Sequence, residues 1–183
     1  MTGHGAVIIT IAAILIIAGA GAVVLLGNSG PGETVTGTIS IFIKDKPEMS
    51  STNWTSFNVT FAYVQIHQSG AGNDSGWKTL SIVNYTIDLR ALTNVSQLLA
   101  RGNVLPGNYT QIRLVASMVE GVLDNGTAVA LEVPSGELKI TRPFKISADQ
   151  ITTLTIDIDL DHSIIHADDK WMFKPVLGSI SEQ

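Results

Sequence analysis

The sequence predicts a mainly β protein, an antiparallel β-sandwich of about eight strands with one short helix, preceded by a long hydrophobic N-terminal α-helix. Two observations favour this architecture. Residues 6–26 are apolar except for Thr10 and small glycines, whereas most of the chain after Glu33 alternates apolar and polar residues with a period of two. Between two alternating stretches, Asp124-Asn125-Gly126 is typical of a hairpin, because Asn-Gly tolerates the positive φ of a type I′ turn.

The N-terminal segment is long enough to cross a bilayer as a helix. Residues 1–32 contain no Asp, Glu, Lys or Arg, and a helix from Ala6 to Leu26 would be about 30 Å long, which matches the hydrocarbon core. Three interpretations remain open: a cleaved secretory signal with Ala18-Gly19-Ala20 as its cleavage site, a plain signal anchor, and a helix that packs with copies of itself. The stretch Met1–Gly5 has no basic residue and the apolar run is long, which disfavours the cleaved signal.

Small side chains distinguish the self-packing helix from a lone anchor. They let helix backbones approach closely, whereas a helix that faces only lipid has no need of them. The predicted packing residues are Ala12, Ala13, Ala18, Gly19, Ala20, Gly21 and Ala22.

The same segment resembles the N-termini of mature archaeal type IV pilins and archaellins. The matching features are the short start Met1-Thr2-Gly3-His4-Gly5, the apolar run that follows it, and the small-residue hinge Gly27-Asn28-Ser29-Gly30. Bacterial pilins carry Glu at the fifth position, where this chain has Gly5. The resemblance implies a filament core and an N-terminus processed from a longer leader.

Composition divides the chain into three parts. Residues 1–26 are the hydrophobic helix, residues 27–33 form a flexible Gly-rich linker in which Pro31 ends the helix, and residues 34–183 form the β-sandwich domain. In this domain, Val64 and Ile66 break the alternation of Phe57, Val59, Phe61 and Tyr63, which predicts a bulge or a doubly buried stretch. The predicted strands are 34–44, 56–67, 77–83, 109–123, 128–133, 138–146, 151–160 and 171–177, and helical spacing of leucines predicts a helix over 89–99.

The β domain also resembles a family of domains of unknown function, number four-three-eight-two. The resemblance runs from about Thr34 to Leu177 and implies a secreted or membrane-attached β-sandwich, without implying an activity. Its fragments are Asp45-Lys46-Pro47, Trp77, Asp88-Leu89, residues 105–114 (LPGNYTQIRL), residues 133–139 (VPSGELK), Asp157-Ile158-Asp159 and Lys174-Pro175-Val176.

Asparagine sequons are strongly over-represented. Ser or Thr makes up 32 of the 183 residues, so chance would give about two sequons among the nine Asn, whereas seven are present. Strand phase or turn position predicts that Asn58, Asn84 and Asn125 point outward, as a bulky solvated glycan requires. The predicted glycosylation sites are Asn53, Asn58, Asn73, Asn84, Asn94, Asn108 and Asn125.

Each candidate metal ligand and each candidate sugar-binding tryptophan also has a simpler structural interpretation. Asp157, Asp159 and Asp161 are expected to share one strand face, where two of them could bind calcium with Asp168 or Asp169; the simpler interpretation is a solvated face paired with Lys. The i, i+4 pair His162 and His166 would chelate zinc on a helix, but the segment between them looks extended. The tryptophans Trp54, Trp77 and Trp171 could stack on sugars or fill the core.

The sequence excludes several functional classes. The net charge of −5 without a basic patch argues against nucleic acid, and the absence of Cys excludes disulfides and thiol chemistry. No spacing assembles a nucleophile with a base, so neither an enzyme nor a cofactor is predicted. We therefore expect a glycosylated extracellular subunit of an archaeal pilus-like surface filament, assembled with copies of itself through its N-terminal helix. The alternative is a monomeric, membrane-anchored surface glycoprotein whose β-sandwich serves adhesion or ligand binding.

Overall fold

The structure, a computed structural model, describes residues 34–45, 53–72 and 75–183. The predicted helix over residues 6–26, its packing residues, the linker and the sequon asparagine Asn73 lie outside this part of the chain. Within the described residues, no helix has both the length and the apolar character needed to cross a membrane.

Strands dominate the described residues, in agreement with the predicted mainly β class. Twelve strands are present there, together with a 3₁₀ turn over Leu89–Leu92 and the single-turn helix α1 over Leu160–Ser163. The strands are β1 Gly37–Asp45, β2 Trp54–Gln68, β3 Trp77–Ile82, β4 Thr86–Asp88, β5 Gln97–Val104, β6 Gly107–Leu123, β7 Ala128–Leu131, β8 Glu137–Ile146, β9 Ile151–Ile158, β10 Ile164–Ala167, β11 Lys170–Phe173 and β12 Leu177–Glu182.

Ten of these strands belong to one curled sheet. Its order is β12-β9-β1-β5-β3-β2-β6-β7, with β4 also paired to β2 and β8 also paired to β6, while β10 and β11 form a separate hairpin. The prediction of an antiparallel domain is wrong where β1 and β9 pair in parallel, from Thr38 and Ile151 to Asp45 and Ile158, and at an isolated parallel bridge between Glu132 and Met172. The long connection between β1 and β9 makes a parallel pairing possible, whereas a tight hairpin permits only the antiparallel one.

The inward faces of the curled sheet share a single core. On β1, Ile39, Ile41 and Ile43 are fully buried, as the alternation along this strand predicts. On the hairpin β10–β11, Phe173 reaches the same core and packs on Phe57 of β2, with ring centroids 5.5 Å apart. Full burial of an aliphatic or aromatic side chain contributes roughly 1.5–3 kcal/mol, so this shared core stabilises the fold and anchors the hairpin.

The irregularity predicted in β2 is a bulge. Pairing between β2 and β6 shifts register between Thr60 and Phe61 and again between Phe61 and Tyr63. Phe57 and Val59 before the shifts, Phe61 between them, and Val64 and Ile66 after them are all buried, so both phases face the core. The expectation that Tyr63 faces inward is wrong, because the bulge turns its side chain outward to 38% exposure.

The helix predicted over residues 89–99 is wrong. Helical geometry lasts only for Leu89–Leu92, where the Asp88 carboxylate accepts the N–H of Arg90 at 3.1 Å and that of Phe57 at 2.8 Å. The chain then enters β5, whose backbone pairs with β1 on one side and with β3 on the other. Two flanking strands offer ladder hydrogen bonds on both edges, and this tertiary pairing overrides the helical spacing of the leucines.

The predicted hairpin at Asp124-Asn125-Gly126 is present, but its turn is not type I′. The Gly126 N–H donates to the Leu123 carbonyl at 2.8 Å, and the Leu123 N–H donates to the Thr127 carbonyl at 2.9 Å. Gly126 has a φ of 84° and Asn125 has a negative one, so the turn ends with a single left-handed glycine. Consecutive positive φ values occur instead at Asp168 and Asp169, between β10 and β11.

Candidate functional site

The sequon asparagines of the described residues all reach the surface, although to different extents. Four of them are exposed. Asn53 immediately precedes β2, and Asn94 follows the 3₁₀ turn. Asn108 lies at the start of β6, and Asn125 lies in the β6–β7 turn. Asn58 and Asn84 are half-buried. Asn73 lies outside the described residues. The sites are therefore spread over several strands and turns, rather than collected on one loop.

Two sequons meet across the pairing of β2 with β4. Their hydroxyl residues Thr60 and Thr86 lie opposite each other, with Oγ1 atoms 2.9 Å apart. Asn58 has the predicted outward phase, since its neighbour Val59 is buried. The Nδ2 atom of Asn84 donates to the Leu98 carbonyl at 2.7 Å. Attachment of a glycan leaves one hydrogen on Nδ2, so this hydrogen bond and a glycan can coexist.

Two other sequons are brought together at one end of the domain. The N–H of Asp124 donates to the carbonyl of Asn53 at 2.8 Å, which joins the start of β2 to the β6–β7 turn. In that turn the Asn125 Oδ1 accepts the backbone N–H of Thr127 at 2.9 Å. This local hydrogen bond fixes the amide of Asn125 and leaves its Nδ2, the atom that carries a glycan, available.

A cleft of about 420 Å³ opens between these two asparagines. Its apolar lining comes from Trp54, Leu123, Ile164 and Trp171. Its polar lining comes from Asn53, Asp124, Asn125 and Asp161. The volume is in the range of small-molecule sites, and the mixed lining suits an amphipathic ligand. No pattern in the sequence indicates the cleft, because its described walls come from four separate segments of the chain.

An aromatic cluster forms the apolar wall of the cleft. Trp54 contacts Phe57 and Trp171 edge-to-face, with ring centroids 5.6 Å and 5.0 Å apart, and His166 stacks on Trp171 at 4.1 Å. Trp54 is only 5% exposed, so it is a core residue, whereas Trp171 is partly exposed. The third tryptophan, Trp77, lies elsewhere on β3 under the guanidinium of Arg113, 4.1 Å from its ring centroid. Of the two tryptophans that line the cleft, Trp171 is the more exposed.

The three aspartates proposed as a metal-binding strand face do not share one. β9 ends at Ile158, so only Asp157 is on the strand, while Asp159 caps α1 and Asp161 lies within α1. Asp157 is 2% exposed, with Lys44 Nζ at 3.5 Å and the Ser179 hydroxyl donating to it at 3.2 Å. Across the described ranges, no three His, Asp or Glu side chains are grouped so that they could hold a metal ion.

The histidine pair is separated in the same way. His162 lies in α1 and its Nδ1 is 2.8 Å from the Asp159 carboxylate, whereas His166 lies on β10 and stacks on Trp171. Because α1 ends at Ser163, the two rings do not share the helical face that the spacing would need for zinc.

Asp45 is a buried carboxyl group that sequence reasoning did not single out as a site. It is 4% exposed at the end of β1, and its Oδ1 accepts the N–H of Leu160 at 3.5 Å. Its pKa is raised to about 6, chiefly by burial and to a smaller extent by the nearby Asp161 and Asp157, although the Leu160 N–H and Arg90 lower it.

Several residues of the family-like fragments hold the backbone together. The buried Tyr109 donates its hydroxyl hydrogen to the Leu105 carbonyl at 2.8 Å and stacks on Phe144, and burial raises the pKa of its phenol. Arg113 bridges Trp77 and the Glu137 carboxylate, which lies 2.9 Å from its Nε. These contacts give Tyr109, Arg113 and Trp77 structural roles in the fold.

The sequence profile of a family described as Domain of unknown function (DUF4382) matches residues 36–175 of the chain. No curated protein and no solved structure matches the chain. The part of the sequence resemblance that concerned this family is thereby confirmed, whereas the pilin-like resemblance concerns residues that the structure does not describe. Because the match covers more than half of the chain, the chain belongs to the DUF4382 family.

Proposed function

We propose that this protein is a non-enzymatic surface glycoprotein whose β domain lies outside the cytoplasm. The observation that supports this most is the placement of the sequons, since every described sequon asparagine is exposed or half-exposed. Glycans need such positions because they are bulky and solvated. Seven sequons among nine asparagines also exceed what a Thr-rich β domain would contain by chance.

We propose further that the N-terminal helix assembles copies of the protein into a surface filament. The support is the sequence of residues 6–26, which places Ala and Gly where close helix packing needs small side chains. The β domain of each copy would then lie on the outside of the filament. The membrane would hold the subunit before assembly.

The second candidate is an anchored monomer that uses its β domain for adhesion or ligand binding. The cleft between Asn53 and Asn125 favours this candidate, because a partly apolar cleft with converging polar groups is typical of ligand sites. The two candidates differ in one observable, which is whether the apolar helix contacts protein or lipid.

We expect Asn53, Asn94, Asn108 and Asn125 to carry glycans in protein isolated from its native host, because their side chains are exposed. Asn58 and Asn84 are expected to be modified as well, at lower occupancy, because their side chains are half-buried. Glycopeptide mass spectrometry measures the occupancy of each site. If all seven sequon asparagines, Asn73 included, are unmodified, the surface-glycoprotein proposal fails.

We expect the double replacement of Gly19 and Gly21 with Leu to abolish filaments while leaving membrane insertion intact. Leucine raises hydrophobicity, which favours insertion, but its bulk keeps neighbouring helices apart. Electron microscopy of cell-surface material and fractionation of membranes measure the two effects. The double variant Val23→Leu and Val24→Leu is the control, because it adds apolar volume without filling the small positions. Normal filaments from the glycine double variant contradict the packing argument, and wild-type protein that never enters filaments favours the anchored monomer.

A further inference from the structure

We propose that the cleft between Asn53 and Asn125 binds the innermost sugar rings of the N-glycan attached to Asn125. The inference rests on the proposed glycosylation. It states that the glycan on Asn125 packs against the protein surface as part of the folded domain.

The point of attachment lies in the wall of the cleft. Asn125 itself lines the cleft, so a sugar linked to its Nδ2 begins at the edge of the site. The hydrogen bond from the Thr127 N–H to the Asn125 Oδ1, 2.9 Å long, fixes the amide before any sugar is attached. Asn53 also lines the cleft, but no comparable hydrogen bond orients its side chain among the described contacts. Preorganisation therefore favours the glycan on Asn125.

The lining has the chemistry of a saccharide site. None of the described residues that line it is basic, so these residues offer no counter-charge to an anionic ligand. The carboxylates of Asp124 and Asp161 accept hydrogen bonds from hydroxyl groups, and the amide of Asn53 both donates and accepts them. The apolar surface of Trp171 and Ile164 suits the C–H face of a sugar ring, which carries no hydrogen-bonding groups.

Tethering explains why a sugar of the chain itself, rather than a free one, is the occupant. The cleft is open and Trp171 is partly covered by His166 and Trp54, so the interaction with one sugar ring is weak. A short tether gives an effective concentration in the millimolar range or above, which fills a weak site without any new contact. Glycans at both rims would also obstruct the approach of a larger external saccharide.

The decisive experiment compares glycosylated protein from the native host with the same chain made in a host that lacks N-glycosylation. The variant Thr127→Ala removes the sequon of Asn125 but keeps the Asn125 side chain and the backbone N–H of residue 127. In glycosylated protein, we expect Thr127→Ala to lower the equilibrium ratio of folded to unfolded protein about three- to tenfold. In the unglycosylated protein, and in a Trp171→Ala background, the same change should have a much smaller effect.

Thr110→Ala is the matched control, because it removes the sequon of Asn108 at the opposite end of β6. Its effect should not depend on Trp171. In wild-type glycosylated protein we also expect NMR cross-relaxation between sugar C–H protons and the indole of Trp171.

The outcomes separate this inference from the proposed function. Glycans on Asn125 with neither cross-relaxation nor dependence on Trp171 overturn the inference and leave the surface-glycoprotein proposal standing. The same holds if Asn125 is unmodified while other sites carry glycans. If no site is modified, the proposed function fails and the inference fails with it. If the free oligosaccharide shifts the Trp171 signals of unglycosylated protein at micromolar concentration, the cleft is a site for external sugars and the inference is overturned.

Discussion

Replacement of Gly121 with Val is expected to cause a large loss of stability in the β domain. A Cβ atom at this position would lie 2.3 Å from Cζ3 and 2.5 Å from Cε3 of Trp54, and 3.3 Å from Cδ2 of Phe57. Trp54 is buried and fixed between Phe57 and Trp171, so its ring cannot swing aside without disrupting the aromatic cluster. Overpacking of this kind costs about 3 kcal/mol, which for a domain of this size corresponds to a melting temperature lower by roughly 6–12 °C.

Chemical denaturation with intrinsic tryptophan fluorescence measures this effect directly. Gly72→Ala is the matched control, since among the described residues a Cβ there meets only the Ser75 Oγ, at 3.3 Å, and its destabilisation should be small. Trp54→Leu should relieve much of the clash, so the double variant with Gly121→Val should be less destabilised than the sum of the single variants. A wild-type-like melting temperature for Gly121→Val would mean that the ring of Trp54 does not lie against β6.

Period-two alternation was sufficient to find most of the strands, because a half-buried strand must alternate. On β1, the buried set Ile39, Ile41 and Ile43 follows directly from the spacing. The same logic located the bulge of β2, since two buried phases in one strand require a register shift. The order of the strands and the parallel pairing of β1 with β9 could not be predicted, because they depend on contacts between segments more than 100 residues apart.

The helix prediction from leucine spacing was wrong where a segment pairs with a strand on each of its two sides. The leucines Leu89, Leu92 and Leu99 have helical spacing, yet Leu99 lies on β5, fully buried between β1 and β3. Short strands were missed for a related reason. β4 has three residues and β12 begins after a proline-containing loop, so neither contains enough alternation to be recognised.

The sequons could be found from the sequence, but the cleft they flank could not. Asn53 and Asn125 are 72 positions apart, and they meet only because β2 and β6 are neighbours along their whole lengths. Trp171 joins them because the β10–β11 hairpin is attached through Glu132, whose N–H donates to the Trp171 carbonyl at 2.9 Å. The predicted aspartate face failed because the chain leaves β9 at Ile158, before Asp159 and Asp161.

Stability of the β domain is expected to increase as the pH falls from about 7 to about 4, because of Asp45. Burial raises the pKa of this carboxyl to about 6 in the folded state, against 3.8 for an exposed aspartate. The folded protein therefore binds a proton that the unfolded chain does not bind between these two values, and protonation stabilises the fold. Above pH 6 the ionised group is retained at a cost of roughly 2–3 kcal/mol, and below pH 3.8 its contribution becomes constant.

The variant Asp45→Asn isolates this contribution, because other acidic groups also titrate in the same range. An amide is uncharged at every pH, and its oxygen can still accept the N–H of Leu160. We expect Asp45→Asn to raise the unfolding free energy at pH 7 by about 1–2 kcal/mol, less than the full cost because the attraction to Arg90 is lost. The difference between variant and wild type should shrink as the pH falls and should become small near pH 4.

Urea denaturation at several pH values measures the difference in unfolding free energy between Asp45→Asn and wild type. Glu120→Gln, at an exposed position on β6, controls for the loss of one negative charge from a chain with a net charge of −5. A constant difference between pH 4 and 7, or a variant less stable than wild type at pH 7, would mean that the buried carboxylate stabilises the fold in its ionised form.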